Sequence, residues 1–116
     1  MEAVLETISW AQFEAVELRV GTVVKAALND KARKPALKVW VDFGAEFGIL
    51  QTSAQITAHY MPEMLVGKRV VGCLNLGSRN IAGFESQFLL TGFPDENGAV
   101  VLIGPDLAVP DGGKLF

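Results

Sequence analysis

From Glu17 to Leu28 the side chains alternate with a period of two. Leu18, Val20, Thr22, Val24, Ala26 and Leu28 fall on one face and Arg19, Gly21, Val23 and Lys25 on the other, which predicts one long strand. Gly21 interrupts the second face, and a glycine within a long strand marks a bend or bulge where one strand serves both sides of a closed barrel. Leu37 to Phe43 alternates again, placing Leu37, Val39, Val41 and Phe43 inward and Lys38, Trp40 and Asp42 outward. Gly44 to Gly48 predicts a turn and Phe47 to Ser53 a returning strand. Ser53 is then placed to cap a helix in which Ile56 and Tyr60 share a face, with Pro62 as its stop.

Lys68 to Leu76 is apolar on both faces, as in a central or interface strand. A polar turn carrying Gly77, Ser78, Asn80 and Gly83 interrupts the pattern, and Phe84 to Thr91 resumes it. Asn97-Gly98 signals a hairpin into a strand from Ala99 to Ile103. Further turns at 105–106 and 110–113 leave Lys114 to Phe116 as a terminal strand or a docked tail. At the start of the chain, Ser9-Trp-Ala-Gln12 has capping-box spacing, with Ile8 and Phe13 at the staple positions, so a short helix is expected from about Trp10 to Ala15. It presents Trp10, Phe13 and Val16 either to one end of a barrel or to a second subunit.

At least five strands, a helix at the start and a helix between the third and fourth strands predict an all-β barrel with short helices. That is the oligonucleotide/oligosaccharide-binding OB-fold, with a five-stranded core. A chain of 116 residues makes one domain, 1–116, with the helix at about 9–16, the barrel at about 17–104 and a C-terminal extension at 105–116.

Charge changes this picture more than composition does. The net charge is −3 and the pI about 5.0, which argues against a uniformly basic nucleic-acid binder. Yet Arg19, Lys25, Lys31, Arg33, Lys34 and Lys38 face only Asp30 in their stretch, so a basic patch can sit on an acidic protein. Cys73 is the sole cysteine, which excludes an internal disulfide and a multi-cysteine zinc site; it reads as a core thiol in a reducing compartment. No export signal or apolar span is recognisable, so a soluble, cytoplasmic protein without membrane insertion is expected.

Phosphate-loop, nucleophile-elbow, zinc-protease and calcium-loop motifs are absent from the sequence. His59 has no acid in its sequence neighbourhood and reads as a solvated helix residue, and Asp42 and Glu46 as surface carboxylates by a turn. No catalytic residue, metal or cofactor is expected. Binding is the expected activity.

Several segments in fixed order carry a resemblance: Glu17-Leu-Arg-Val-Gly21, Arg33-Lys-Pro-Ala-Leu-Lys38 running into Asp42-Phe-Gly44, Ser53-Ala-Gln-Ile-Thr57, and Tyr60-Met-Pro62. Gly67-Lys68, Asn75 and Arg79-Asn-Ile-Ala-Gly-Phe-Glu-Ser86 continue it. Over about Glu17 to Gly112 the chain resembles the CsaA-type, export-related chaperones of the tRNA-binding-domain family. The resemblance implies an OB-fold, a homodimer and a binding role: preproteins, unfolded peptide and the export ATPase as partners, or tRNA as in other members of the family. A dimeric scaffold for a single protein partner is a third expectation. Gly77-Ser78 stands where the CsaA pattern has two prolines, Gln87 where it has Glu, and Leu89 where tRNA-binding relatives carry methionine. The binding residues expected for peptide or tRNA are Arg79, Asn75, Asn80, Phe84, Ser86, Trp40, Arg33, Lys34 and Lys38. Phe88 is expected beside them.

Overall fold

The computed structural model describes residues 3–116. Helix α1 (Trp10–Glu14) starts as the sequence dictates. Ser9 Oγ accepts a hydrogen bond from the Gln12 N–H at 3.1 Å, and Gln12 Oε1 accepts from the Ser9 N–H at 2.7 Å. None of its residues is buried.

Strand β1 (Leu18–Leu28) pairs antiparallel with β2 (Leu37–Asp42) on one side and β4 (Arg69–Cys73) on the other. β2 pairs onward with β3 (Ile49–Ala54), and β4 with β7 (Leu89–Leu90), giving the order β3-β2-β1-β4-β7. The sheet's two ends approach each other. Thr52 Oγ1 donates to the Phe88 carbonyl at 2.7 Å, and the Gln87 N–H donates to the Gln51 carbonyl at 2.8 Å. The sheet thus curls into a nearly closed five-stranded barrel of OB type, joined by two small hairpins: β5 (Arg79–Ile81) with β6 (Phe84–Ser86), and β8 (Gly92–Pro94) with β9 (Val100–Leu102).

The barrel interior is filled by Leu37, Val39 and Val41 of β2, Val23 of β1, Val70 of β4, and Phe43 and Phe88, whose rings meet edge to face at 5.0 Å between centroids. Helix α2 (Pro62–Leu65) adds the fully buried Leu65 to this core. Gly72 lies directly beneath the two phenylalanines, where a Cβ would come within 2.7 Å of Phe88 Cδ2 and 2.9 Å of Phe43 Cζ.

Six expectations need correction. The bulge in β1 falls between Val23 and Lys25 rather than at Gly21, so alternation reverses there and Val24 turns outward while Val23 is buried. Gly21 serves close packing instead, since a Cβ there would meet Val41 Cγ1 at 2.6 Å. The helix between the third and fourth strands exists, but Pro62 begins it rather than ending it, as its fixed φ favours the first helical turn. Ser53 belongs to β3, and its hydroxyl accepts from Asn29 Nδ2 at 3.0 Å instead of capping a helix.

The expected strand from Phe84 to Thr91 is two pieces, β6 and β7, because Gln87 leaves the ladder to bond β3. The expected turn before it contains β5, which narrows the true turn to Ala82-Gly83. Finally, His59 lies in a turn and is not an isolated solvated residue. Its Nε2 is 2.7 Å from Asp95 Oδ2. That contact, followed by the backbone N–H groups of Asn97 and Ala99, holds the Asp95 carboxyl below its usual range.

The C-terminal extension docks on β1. The Gly112 N–H donates to the Val20 carbonyl, the Val20 N–H to the Gly113 carbonyl, and the Leu115 N–H to the Leu18 carbonyl. Side chains reinforce it. Asp111 Oδ1 accepts from Thr22 Oγ1 at 2.8 Å and from Arg69 Nη2 at 3.2 Å, and Lys114 reaches Glu17 Oε2 at 2.9 Å.

Candidate ligand-binding face

The outer face of β2 and β3 carries a stack built from register. Antiparallel pairing sets Lys25 opposite Trp40 and Lys38 opposite Ser53. Lys25 Nζ then lies 4.6 Å from the Trp40 ring centroid, the Phe84 ring meets Trp40 edge on at 5.6 Å, and Lys38 Nζ lies 5.2 Å from the Phe84 centroid. Trp40 Nε1 donates to Gln51 Oε1 at 3.2 Å, and Gln51 Nε2 donates to the Glu85 carbonyl at 2.9 Å. The β5–β6 hairpin is thereby fastened across β3. Ser86 Oγ accepts from the Ser53 N–H at 2.9 Å, and Gln87 Oε1 from the Gln51 N–H at 3.0 Å.

Between this hairpin and the β1–β2 loop lies a groove of about 500 Å³. Ala32, Ala36, Ile81 and Ala82 make its apolar surface, and Lys31, Arg33 and Lys34 its basic rim. A smaller cavity of about 120 Å³ adjoins it, lined by Arg79, Leu76, Ser86 and Leu89 among others, and the two share Ser53 and Ile81. Among the described residues, Lys31, Arg33, Lys34 and Arg79 form no ion pair.

The expected site residues therefore divide. Trp40, Phe84 and Lys38 come together in the stack, Arg33 and Lys34 line the groove, and Arg79 lines the adjoining cavity. Asn75, Asn80 and Ser86 have structural tasks. Asn75 Oδ1 accepts from the Glu17 N–H at 3.0 Å while its Nδ2 donates to the Ala15 carbonyl at 2.6 Å, tying the end of β4 to the junction of α1 and β1. Asn80 Oδ1 accepts from the Gly83 N–H at 2.9 Å, closing the hairpin turn. Phe88, expected beside the polar turn, is buried against Phe43 in the barrel core and also lines the cavity that holds Gly77 and Arg79.

Sequence reasoning missed Gln51, Ser53 and Ile81, and it named Lys25 and Lys31 only as members of a basic stretch. Only the bulge and the strand register bring Lys25 onto Trp40, so no local signal marks that contact. Among the described residues, no group of three or more His, Cys, Asp or Glu side chains is placed to hold a metal. No helix among them is long and apolar enough to cross a membrane.

A groove between the first inter-strand loop and the loop preceding the last barrel strand, opening onto the outer face of strands two and three, is where OB-folds take extended ligands. The family model described as "Putative tRNA binding domain" matches residues 18–114. The chain belongs to this family. In this tRNA-binding-domain family, the barrel is a binding module and not a catalytic one. The solved structure of the chaperone CsaA from Bacillus anthracis is similar at 40% identity and a TM-score of 0.88, covering 96% of this chain and 100% of that one. The CsaA chaperone protein from Picrophilus torridus is similar at 32% identity and a TM-score of 0.87, covering 95% of this chain and 100% of that one. A methionine–tRNA ligase of Methanothrix thermoacetophila is 42% identical over 105 residues, 90% of this chain and 15% of the ligase. The chain spans only 15–17% of the length of such ligases.

Proposed function

We propose that this chain is a non-catalytic, homodimeric chaperone of CsaA type, working in the cytoplasm, that binds extended segments of preproteins and has the export ATPase as a partner. The groove between the β1–β2 loop and the β5–β6 hairpin, together with the adjoining Arg79 cavity and the Phe84 stack, carries the proposal. Its apolar surface and cationic rim suit an unfolded chain with mixed side chains, and the similarity to CsaA chaperones over nearly the whole chain supports it. Suppression of aggregation of a denatured client by the wild-type chain, weakened in Arg79→Ala and Phe84→Ala, is the expected result. Undiminished suppression in both variants would move the site elsewhere.

Homodimerisation rests on a second, apolar surface. A groove of about 390 Å³ is lined by Val20, Val71, Ile103, Pro105, Val109 and Leu115, and Trp10 of α1 is 80% exposed. Lys114 Nζ donates to the Glu14 carbonyl at 2.6 Å, so α1 is held beside the C-terminal extension. Trp10→Glu is expected to shift the mass measured by light scattering from dimer to monomer.

A tRNA ligand is the second reading, favoured by Lys31, Arg33 and Lys34 on the groove rim and by Lys25 and Lys38 on the adjoining face. It predicts an affinity falling steeply with salt, by roughly 0.7 to 0.9 in the log-log slope per neutralised phosphate. Titrating labelled tRNA and a labelled preprotein segment against one preparation at two salt concentrations separates the readings.

A further inference from the structure

The β5–β6 hairpin leaves one main-chain edge unpartnered. Among the described residues β5 pairs only with β6. In the turn between them Ala82 has φ 53° and Gly83 φ 79°, both positive as a two-residue type I′ turn requires, so the flanking Ile81 and Phe84 form a hydrogen-bonded pair. Bonded and non-bonded pairs alternate along an antiparallel ladder. Arg79 with Ser86 is therefore the next bonded pair, and the N–H and C=O of Asn80 point away from β6. No turn, loop or cap hydrogen bond among the described residues uses them.

Two adjoining hollows that share Ile81 of β5 make a trough along the hairpin. The groove of about 500 Å³ and the cavity of about 120 Å³ share Ser53 and Ile81, so together they follow β5 from Leu76 to the β1–β2 loop. Cations line both: Arg79 in the cavity, and Lys31, Arg33 and Lys34 in the groove. The same charges disfavour pairing with the identical edge of a second copy, since like charges across a strand pair repel.

We propose that an extended, acidic polypeptide segment binds by adding as a strand to the open edge of β5. Its main chain exchanges hydrogen bonds with the N–H and C=O of Asn80, and its carboxylates reach Arg79 and the Lys31–Lys34 loop. The inference rests on the chaperone reading and specifies its mode. Strand addition draws affinity from main-chain bonds that every peptide offers, which suits a protein that must accept many sequences, while the cations select acidic stretches.

The test uses the full chain and a fluorescein-labelled peptide of about ten residues alternating Asp and Val, long enough for one strand. Two further versions carry N-methyl groups on every Asp or on every Val. Only one set of N–H groups faces β5, so one methylated peptide should lose about tenfold or more in affinity while the other stays close to the parent. Replacing Asp by Lys should also weaken binding by about tenfold. Asn80→Pro, which removes the outward N–H, should reproduce the methylation loss, and because that variant can disturb the hairpin the peptide pair on the native chain decides. Equal binding of both methylated peptides and the parent would overturn strand addition, and if the chain still suppressed aggregation of reduced lysozyme the chaperone reading would stand without it. Absence of peptide binding and of suppression, with tight binding of an oligouridylate, would overturn both and place RNA in the trough.

Discussion

Asn75 separates a structural account of the strand-end turn from a ligand-binding one. Its amide bridges the Glu17 N–H at 3.0 Å and the Ala15 carbonyl at 2.6 Å. Each such bond contributes a net ~0.5–1.5 kcal/mol, so loss of both in Asn75→Ala removes at most about 3 kcal/mol. Asn75 is exposed, and water replaces part of what is lost. The expected destabilisation is therefore about 1–2 kcal/mol, or roughly 4–8 °C in Tm for a domain of this size. Asn75→Asp keeps the acceptor for Glu17 but turns an oxygen toward the Ala15 carbonyl, so it should be no better than alanine at neutral pH. Urea unfolding gives the free energy, and m should not change, because the barrel still exposes the same surface on unfolding. Peptide and tRNA affinities measured well below the transition should stay within about twofold of wild type. Unchanged stability with a large loss of affinity would refute the structural assignment and return Asn75 to the binding face.

The Glu17 carboxyl is held below its usual range first by its hydrogen bond with Lys114 and then by that with Arg19, so the latch it forms stabilises the fold above the usual glutamate pKa of 4.5 and is lost as pH falls through the lower folded value. Urea midpoints taken between neutral and acidic pH should fall less steeply in Glu17→Gln than in wild type. Gly72→Ala drives a methyl against Phe43 and Phe88 and should cost about 1–3 kcal/mol by the same unfolding assay. Ala82 occupies a left-handed position at φ 53°, and Ala82→Asn, which tolerates that region, should stabilise the chain by about 0.5–1 kcal/mol.

The barrel was legible because its strands are half-buried and alternate: Leu37, Val39 and Val41 are inside, and Lys38 and Trp40 lean out, as period two requires. Boundaries failed where long-range bonds compete with local signals. Ser53 looks like a helix cap, but Asn29 and Ser86 claim its hydroxyl and its N–H from distant strands. The site was half legible for the same reason. Its outward aromatics and cations follow from alternation and charge, whereas Asn75 and Asn80 advertise side-chain amides that the fold itself engages, both groups of Asn75 and the oxygen of Asn80.

Under the two proposed readings, the lysine–aromatic stack lets one face serve chemically different ligands. Lys25 and Lys38 rest on Trp40 and Phe84 at 4.6 and 5.2 Å, partly exposed contacts worth about 0.5–1 kcal/mol each. A nucleobase stacking on an aromatic ring gains about 1–3 kcal/mol, enough to displace one lysine. The displaced ammonium is then free for a phosphate. A strand added at β5 stacks on neither ring and depends on Phe84 only through the hairpin that it anchors on Trp40, so the stack stays closed and its lysines remain where an acidic side chain can meet them. Lysines already seated on the aromatics thus keep apolar ring faces out of water in the free protein without closing the face to either ligand, a compromise available to lysine because its long, flexible stem lets the ammonium move a few ångströms at little energetic cost.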